Sequence, residues 1–184
     1  MKVLLHTCCG PCASACVPRL KEDGHEVSMF FSNSNIDTAG EYAKRLGAAR
    51  RLADAEGVAL AEDVYDHGAW LREVAAGYEA EPEKGARCAR CFAYNLARTA
   101  AYAARHGYDA FATSLTVSPH KPSALVFAAS ADPRFLKADF KKKDGFKLSL
   151  RKSAELGLYR QSWCGCEFSR RSRSVGDDAG AERN

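Results

Sequence analysis

The chain lacks what a membrane or secreted protein needs. None of its apolar runs nears the ~18 residues of a membrane-spanning helix, and the opening MKVLLHTCCG is too brief in apolar residues to serve as a secretory signal. The phosphate-cradling pattern G-x-x-x-x-G-K-[ST] is absent, so ATP use is not expected. Prolines number only six, and there are no internal repeats, low-complexity tracts or linkers. A stretch of 184 residues fits one domain, large enough to bury a self-sufficient core. The expectation is a cytoplasmic protein with no membrane partner.

Cysteine, by contrast, is abundant. Eight are present, and in a reducing compartment that density indicates metal binding or redox chemistry rather than a disulfide framework. Seven fall in three groups: Cys8-Cys9-x-x-Cys12, Cys88-x-x-Cys91 and Cys164-x-Cys166. Cys9 and Cys12 flank Pro11 at an expected helix start, where unpaired N–H groups and the helix dipole favour the thiolate. Cys88 and Cys91 are three apart on an expected helix and point to one side. Zinc closes a site with four thiolates, and an iron–sulfur cluster also takes four. Seven convergent thiols fit a cluster plus a second function better than zinc alone, while a thiol–disulfide exchange site needs only one C-x-x-C. A zinc-stapled RNA-binding module and a thiol–disulfide oxidoreductase stay open at this point. Cys16 shares an apolar helical stripe with Ala13, Val17 and Leu20 and reads as core.

Hydrophobic periodicity predicts strands over 2–6, 27–31, 58–64, 109–115 and 135–138. Helices are expected over 11–23, from a T-x-x-E capping box at Thr38 and Glu41, over 67–78, over 88–106, after Ser118-Pro119, and over 146–156. Strands alternating with helices imply an α/β fold, a three-layer sandwich around a mostly parallel sheet. Ligands in such sheets bind beyond the carboxyl ends of the strands, where the loop after the first strand holds Cys8, Cys9 and Cys12. The domain is expected to span 1–169, with 170–184 a disordered basic and polar tail. Charge is uneven. Residues 134–173 hold twelve Lys/Arg against four Asp/Glu, and residues 54–83 hold one Arg against nine acids, which suggests an anionic partner for the C-terminal half.

Five segments together, LLHTCCGPC (4–12), RCARCF (87–92), TSLTVSPHK (113–121), DFKKKDG (139–145) and LYRQSWCGCEFS (158–169), resemble the cobalamin-independent, QueH-type epoxyqueuosine reductases. The resemblance runs nearly the whole chain to Ser169. It implies a HUP-like fold related to adenine nucleotide alpha hydrolases, and reduction of epoxyqueuosine to queuosine in tRNA, the last step of queuosine synthesis. It also implies a [4Fe-4S] cluster with a neighbouring iron, no cobalamin, and an external electron donor. The family's metal-binding cysteines fall on Cys8, Cys9, Cys12, Cys88, Cys91, Cys164 and Cys166. Where HUP-type ATP pyrophosphatases carry a glycine- and serine-rich loop, this chain has HTCCGPC.

On that resemblance we expect Cys8, Cys88, Cys91 and Cys166 to hold the cluster, and Cys9, Cys12 and Cys164 a second iron that polarises the epoxide oxygen. Asp139 or Asp37 is a candidate to complete the second site, and His6 to donate a proton or orient a ligand. Substrate contacts are expected from His120, Lys121, Lys141, Lys142, Lys143 and Arg160. Further basic residues of the C-terminal half (Lys137, Lys147, Arg151 and Lys152) would extend the path for the tRNA backbone. Tyr159 and Trp163 are placed to stack on an unpaired base.

Overall fold

The computed structural model describes residues 1–170, so the expected tail lies outside the described residues apart from Arg170. Strands β1 (Lys2–His6), β2 (Glu26–Phe31), β3 (Leu60–Glu62) and β4 (Ala110–Thr113) form one sheet in the order β3-β2-β1-β4. Every pairing is parallel. A lone parallel bridge from Phe111 to Phe135 adds one position beyond β4, so the strand expected over 135–138 is reduced to a single contact.

The alternation of side chains along each strand builds the layers. Val3 and Leu5 of β1, Val27, Met29 and Phe31 of β2, and Ala110 and Ala112 of β4 share one core. That core is closed by helices α1 (Gly10–Glu22), α2 (Ala39–Glu56) and α6 (Gly145–Glu155). Leu4, Phe30 and Phe111 face the other way, onto Leu96 and Ala103 of helix α4 (Ala86–Arg105). The result is a three-layer α/β sandwich, as the strand–helix alternation predicts. Among the described residues, no helix is long and apolar enough to cross a membrane.

Between β3 and α4 the chain forms the single-turn helix α3 (His67–Trp70) and a π-helical turn (Leu71–Ala75). After β4 come a 3₁₀ turn (Ser114–Val117) and the short helix α5 (Ser123–Ala128). The sequence places a helix cap at Ser118-Pro119; the helix instead begins four residues later, with Pro122 at its N-cap. A second proline explains the delay, because the residue before a proline is pushed out of the α region, so Lys121 cannot continue a helix begun at Pro119. Ser118 Oγ instead accepts the His120 amide in a local turn.

Sequence order reverses direction at β1: β2 and β3 lie to one side, β4 to the other. The loops after β1 and β4 therefore part at their carboxyl ends and leave a crevice. Cys8 and Cys9 leave β1 on one side of it, and Ser114 leaves β4 on the other.

Candidate metal centre

Cys9 caps α1: its sulfur accepts the Cys12 amide at 3.5 Å, and Pro11 follows in the first turn. Gly10 is required here by close approach, since a Cβ would lie 2.6 Å from the Ala48 carbonyl oxygen of α2. Cys8 is fixed from β4, its amide donating to Ser114 Oγ at 3.0 Å and its sulfur accepting the Ser114 hydroxyl at 3.3 Å. The sulfurs of Cys8, Cys9 and Cys12 all lie within 4.8 Å of one another, a three-thiol site able to hold a metal ion. Hydrogen bonding among the three sulfurs, with help from Gln161 and the Cys12 amide, holds the Cys9 thiol well below its ordinary value. Hydrogen bonding to the Cys8 and Cys9 sulfurs, together with burial, pushes the Cys12 thiol well up. The Cys12 amide at the start of α1 is one of the groups that lower the Cys9 thiol.

The other four grouped cysteines line a second cleft of about 620 Å³, reached from the first turn of α4 and from the segment after α6. Cys88 accepts the Lys84 amide at 3.3 Å. Cys91 lies beside the Trp70 indole N–H and 3.9 Å from Asn95 Nδ2. Burial raises the Cys88, Cys91 and Cys166 thiols. The neighbouring cleft, about 1130 Å³, contains Cys8, Cys9 and Cys12. Both clefts share Asn35, Glu83, Lys84, His120, Lys121 and Cys164, so the seven thiols occupy adjoining walls of one depression. Cys8, Cys9 and Cys12 form one tight group, Cys88, Cys91 and Cys166 line the other cleft, and Cys164 lines both. Cys164 is close enough to Cys88, Cys91 and Cys166 to help raise their thiols. Cys16 sits outside, fully buried in the main core, its thiol donating to the Cys12 carbonyl at 3.4 Å.

Lys121 stands between the two groups. Burial opposes its charge, but the sulfurs of Cys164, Cys8, Cys12 and Cys9 outweigh burial and raise its ammonium above the ordinary value. His6 is fully buried, with Nε2 against the Ser32 carbonyl at 3.1 Å and Nδ1 against Thr113 Oγ1 at 2.8 Å. Burial lowers it from 6.5 to about 4, which leaves a neutral ring bridging the ends of β1, β2 and β4. Asp139 lies outside both clefts and accepts the Lys141 amide within its own turn. Asp37 lies outside them too, paired with Arg170 at 3.2 Å. Lys141 donates to the carbonyls of Lys121 and Ser118, holding the loop that carries Lys121. His120 and Arg160 line the larger cleft, whereas Lys142 and Lys143 are exposed outside both. Tyr159 donates its hydroxyl to Glu41, and both Arg45 and Arg170 lie over the Trp163 ring.

Sequence reasoning missed the residues that hold the thiols in place. Arg87, 1% exposed, donates to the carbonyls of Tyr78, Glu79 and Glu81 and so fixes the turn before Cys88. Arg45 does the same for the Cys164 segment. Asn33 and Asn35 come from the polar run Ser32–Asn35, buried at the carboxyl end of β2. That run was legible as a polar stretch where α/β folds bind ligands.

A parallel α/β domain with thiols from three chain segments gathered beyond its strand ends defines a cysteine-rich, metal-capable α/β protein. More narrowly, the chain belongs to the family described as Epoxyqueuosine reductase QueH, whose profile matches residues 3–172. A relative of that name from Dehalococcoides mccartyi is 36% identical over 179 residues, covering 94% of each chain. One from Acinetobacter baylyi is 35% identical over 177 residues, 92% of this chain and 81% of the relative. One from Streptococcus pyogenes serotype M1 is 33% identical over 185 residues, 94% of this chain and 72% of the relative.

Proposed function

We propose that the chain reduces epoxyqueuosine to queuosine in tRNA, with electrons from an external donor and with iron held by the gathered thiols. The observation that carries this reading is the meeting of three separate cysteine motifs at one end of the sheet, in a chain of this family. Removal of the epoxide oxygen as water takes two electrons and two protons and leaves a carbon–carbon double bond.

The donor set fits the groups proposed. Tetrahedral ligands at ~2.3 Å from one ion lie ~3.8 Å apart, and the Cys8 and Cys9 sulfurs are 3.9 Å apart. Among the described residues, the four thiols of the other wall do not form such a tight group. A cluster, which takes one thiolate at each of four corners, does not need its ligands gathered around a single ion. We therefore assign the [4Fe-4S] cluster to Cys88, Cys91, Cys164 and Cys166, and the second iron to Cys8, Cys9 and Cys12. This moves Cys8 and Cys164 relative to the partition expected from the resemblance. When bound, the cluster would supply electrons one at a time and the second iron a Lewis acid.

The chain's own residues do the rest. Lys121 offsets the negative charge of sulfurs on both walls. His120 and Arg160 line the larger cleft within reach of an anionic or hydroxyl-bearing substrate. Asn33 and Asn35 line the same space, with Asn33 Nδ2 donating to the Thr7 carbonyl at 2.9 Å. His6, neutral and engaged at both ring nitrogens, positions the thiol loop. The test is mass analysis of tRNA from a strain lacking this gene. Epoxyqueuosine should accumulate there, and supplying the chain should convert it to queuosine. Unchanged queuosine in the deletion strain would sink the reading.

A further inference from the structure

Cys164 and Cys166 lie in a stretch without helix or strand, residues 156–166, so no backbone ladder fixes where their sulfurs point. Something else must hold that stretch. The Asp37 amide donates to the Gly165 carbonyl at 3.0 Å and Ser169 to the Cys166 carbonyl. From Tyr159 to Cys164 the stretch is gripped by one buried ion pair on α2: Arg45 and Glu41, with side chains 2% and 5% exposed and Nε donating to Oε1 at 2.7 Å. Burying two charges is unfavourable unless their remaining polar atoms are also satisfied. Here they are satisfied by the cysteine segment itself. Arg45 Nη1 donates to the Cys164 carbonyl at 2.8 Å and Nη2 to the Trp163 carbonyl at 3.3 Å, so the planar fork reads two successive peptides. The guanidinium carbon lies 5.1 Å from the Trp163 ring centroid. Glu41 Oε2 accepts the Tyr159 hydroxyl at 2.9 Å, gripping the same segment further back. Gly165, at φ 129°, presses on the fork, since a Cβ there would come within 3.0 Å of Arg45 Nη1.

We propose that Arg45, braced by Glu41, is the positioning residue of the C-terminal thiol pair, aiming Cys164 and Cys166 at the wall formed by Cys88 and Cys91. This rests on the four-thiol assignment made above. A lysine keeps the charge beside Glu41 but has no planar fork, so it cannot hold both carbonyls. The side chains that orient metal ligands typically contribute ~10–100-fold to metal affinity.

The experiment uses the reduced full-length chain carrying Cys8→Ser, Cys9→Ser and Cys12→Ser, so that only the four-thiol wall remains. Cobalt(II) is titrated in without oxygen, and sulfur-to-cobalt charge-transfer absorption is recorded. Adding Arg45→Lys should weaken cobalt binding ~10–100-fold and speed hydrogen exchange of the amides at 163–166, leaving exchange in the β1–β2 core unchanged. Equal cobalt affinity and equal exchange in the two proteins would overturn the proposal while leaving the four-thiol wall standing. Should the Arg45 parent show no thiolate–cobalt absorption, the four-thiol assignment itself fails, and this proposal with it. If Arg45→Lys does not fold, Tyr159→Phe decides. It leaves the buried pair in place and removes the outer grip, and should weaken cobalt binding a few-fold; no change would overturn the proposal.

Discussion

Two sulfurs four residues apart, at Cys12 and Cys16, show how surroundings set a role. Cys12 belongs to the three-thiol site, whereas Cys16 is packed among Ala13, Val17 and Leu20, and burial raises its thiol well above the ordinary range. Cys16→Ala should cost about 1 kcal/mol of stability, read from the denaturation midpoint, with metal uptake and turnover unchanged. Cys9→Ser should keep the fold, because serine also caps a helix, and abolish turnover, because it removes one of the three thiols of the metal-capable site. If Cys16→Ala abolished activity and Cys9→Ser did not, the division between core and site would be wrong. That division was legible in the sequence: helical spacing put Cys16 on the apolar stripe, and Pro11 put Cys9 and Cys12 at the helix start. The orienting residues were not. Glu41 reads as half of a capping box with Thr38, and Thr38 Oγ1 does accept the Glu41 amide at 3.2 Å. The Glu41 carboxylate, however, turns to Arg45 and Tyr159, partners that only the tertiary fold supplies.

At the scale of elements, the boundaries of β1, α1, β2 and α4 follow from hydrophobic period and stop signals, with Gly107 at φ 68° ending α4 as expected. What the pattern could not give is how α4 is tied to the far edge of the sheet. Asp63, just past β3, accepts both Arg98 Nε and Nη2 from α4, at 2.5 and 2.8 Å, and also the Ser32 hydroxyl at 2.6 Å. Burial alone would raise the Asp63 carboxyl, but Arg98, Ser32 and the Val64 amide outweigh it and hold it below the ordinary carboxylate value. A carboxyl depressed in the folded state binds its proton more readily when unfolded. Its contribution is therefore complete above the unfolded value of ~3.9 and is lost as pH falls through the folded value. Urea midpoints measured from pH 7 to pH 3 should fall at the acid end, and Asp63→Asn should flatten that limb while lowering the neutral plateau. An identical acid limb in the variant would show that this tie contributes nothing.

Over the whole molecule, the sequence located the thiol groups and the end of the sheet where they meet. It could not partition them, because the grouping depends on where residues 156–166 cross the strand ends, and no local pattern encodes that path. Charge was likewise only partly legible. Within the basic half Lys141 serves two loop carbonyls and Lys152 pairs with Glu56 at 2.9 Å, while Lys142 and Lys143 are exposed on a turn. If that turn meets the tRNA backbone, Lys142→Ala with Lys143→Ala should weaken tRNA binding and reduce the slope of log affinity against log salt by about 1–2. An unchanged slope would place the backbone contact elsewhere. The central claim, that thiols from three segments share iron at one mouth of the sheet, is tested most directly by iron and acid-labile sulfide determined on protein purified without oxygen. Both should be present in the parent and sulfide should be lost in Cys88→Ser; a colourless parent holding zinc and no sulfide would contradict the claim.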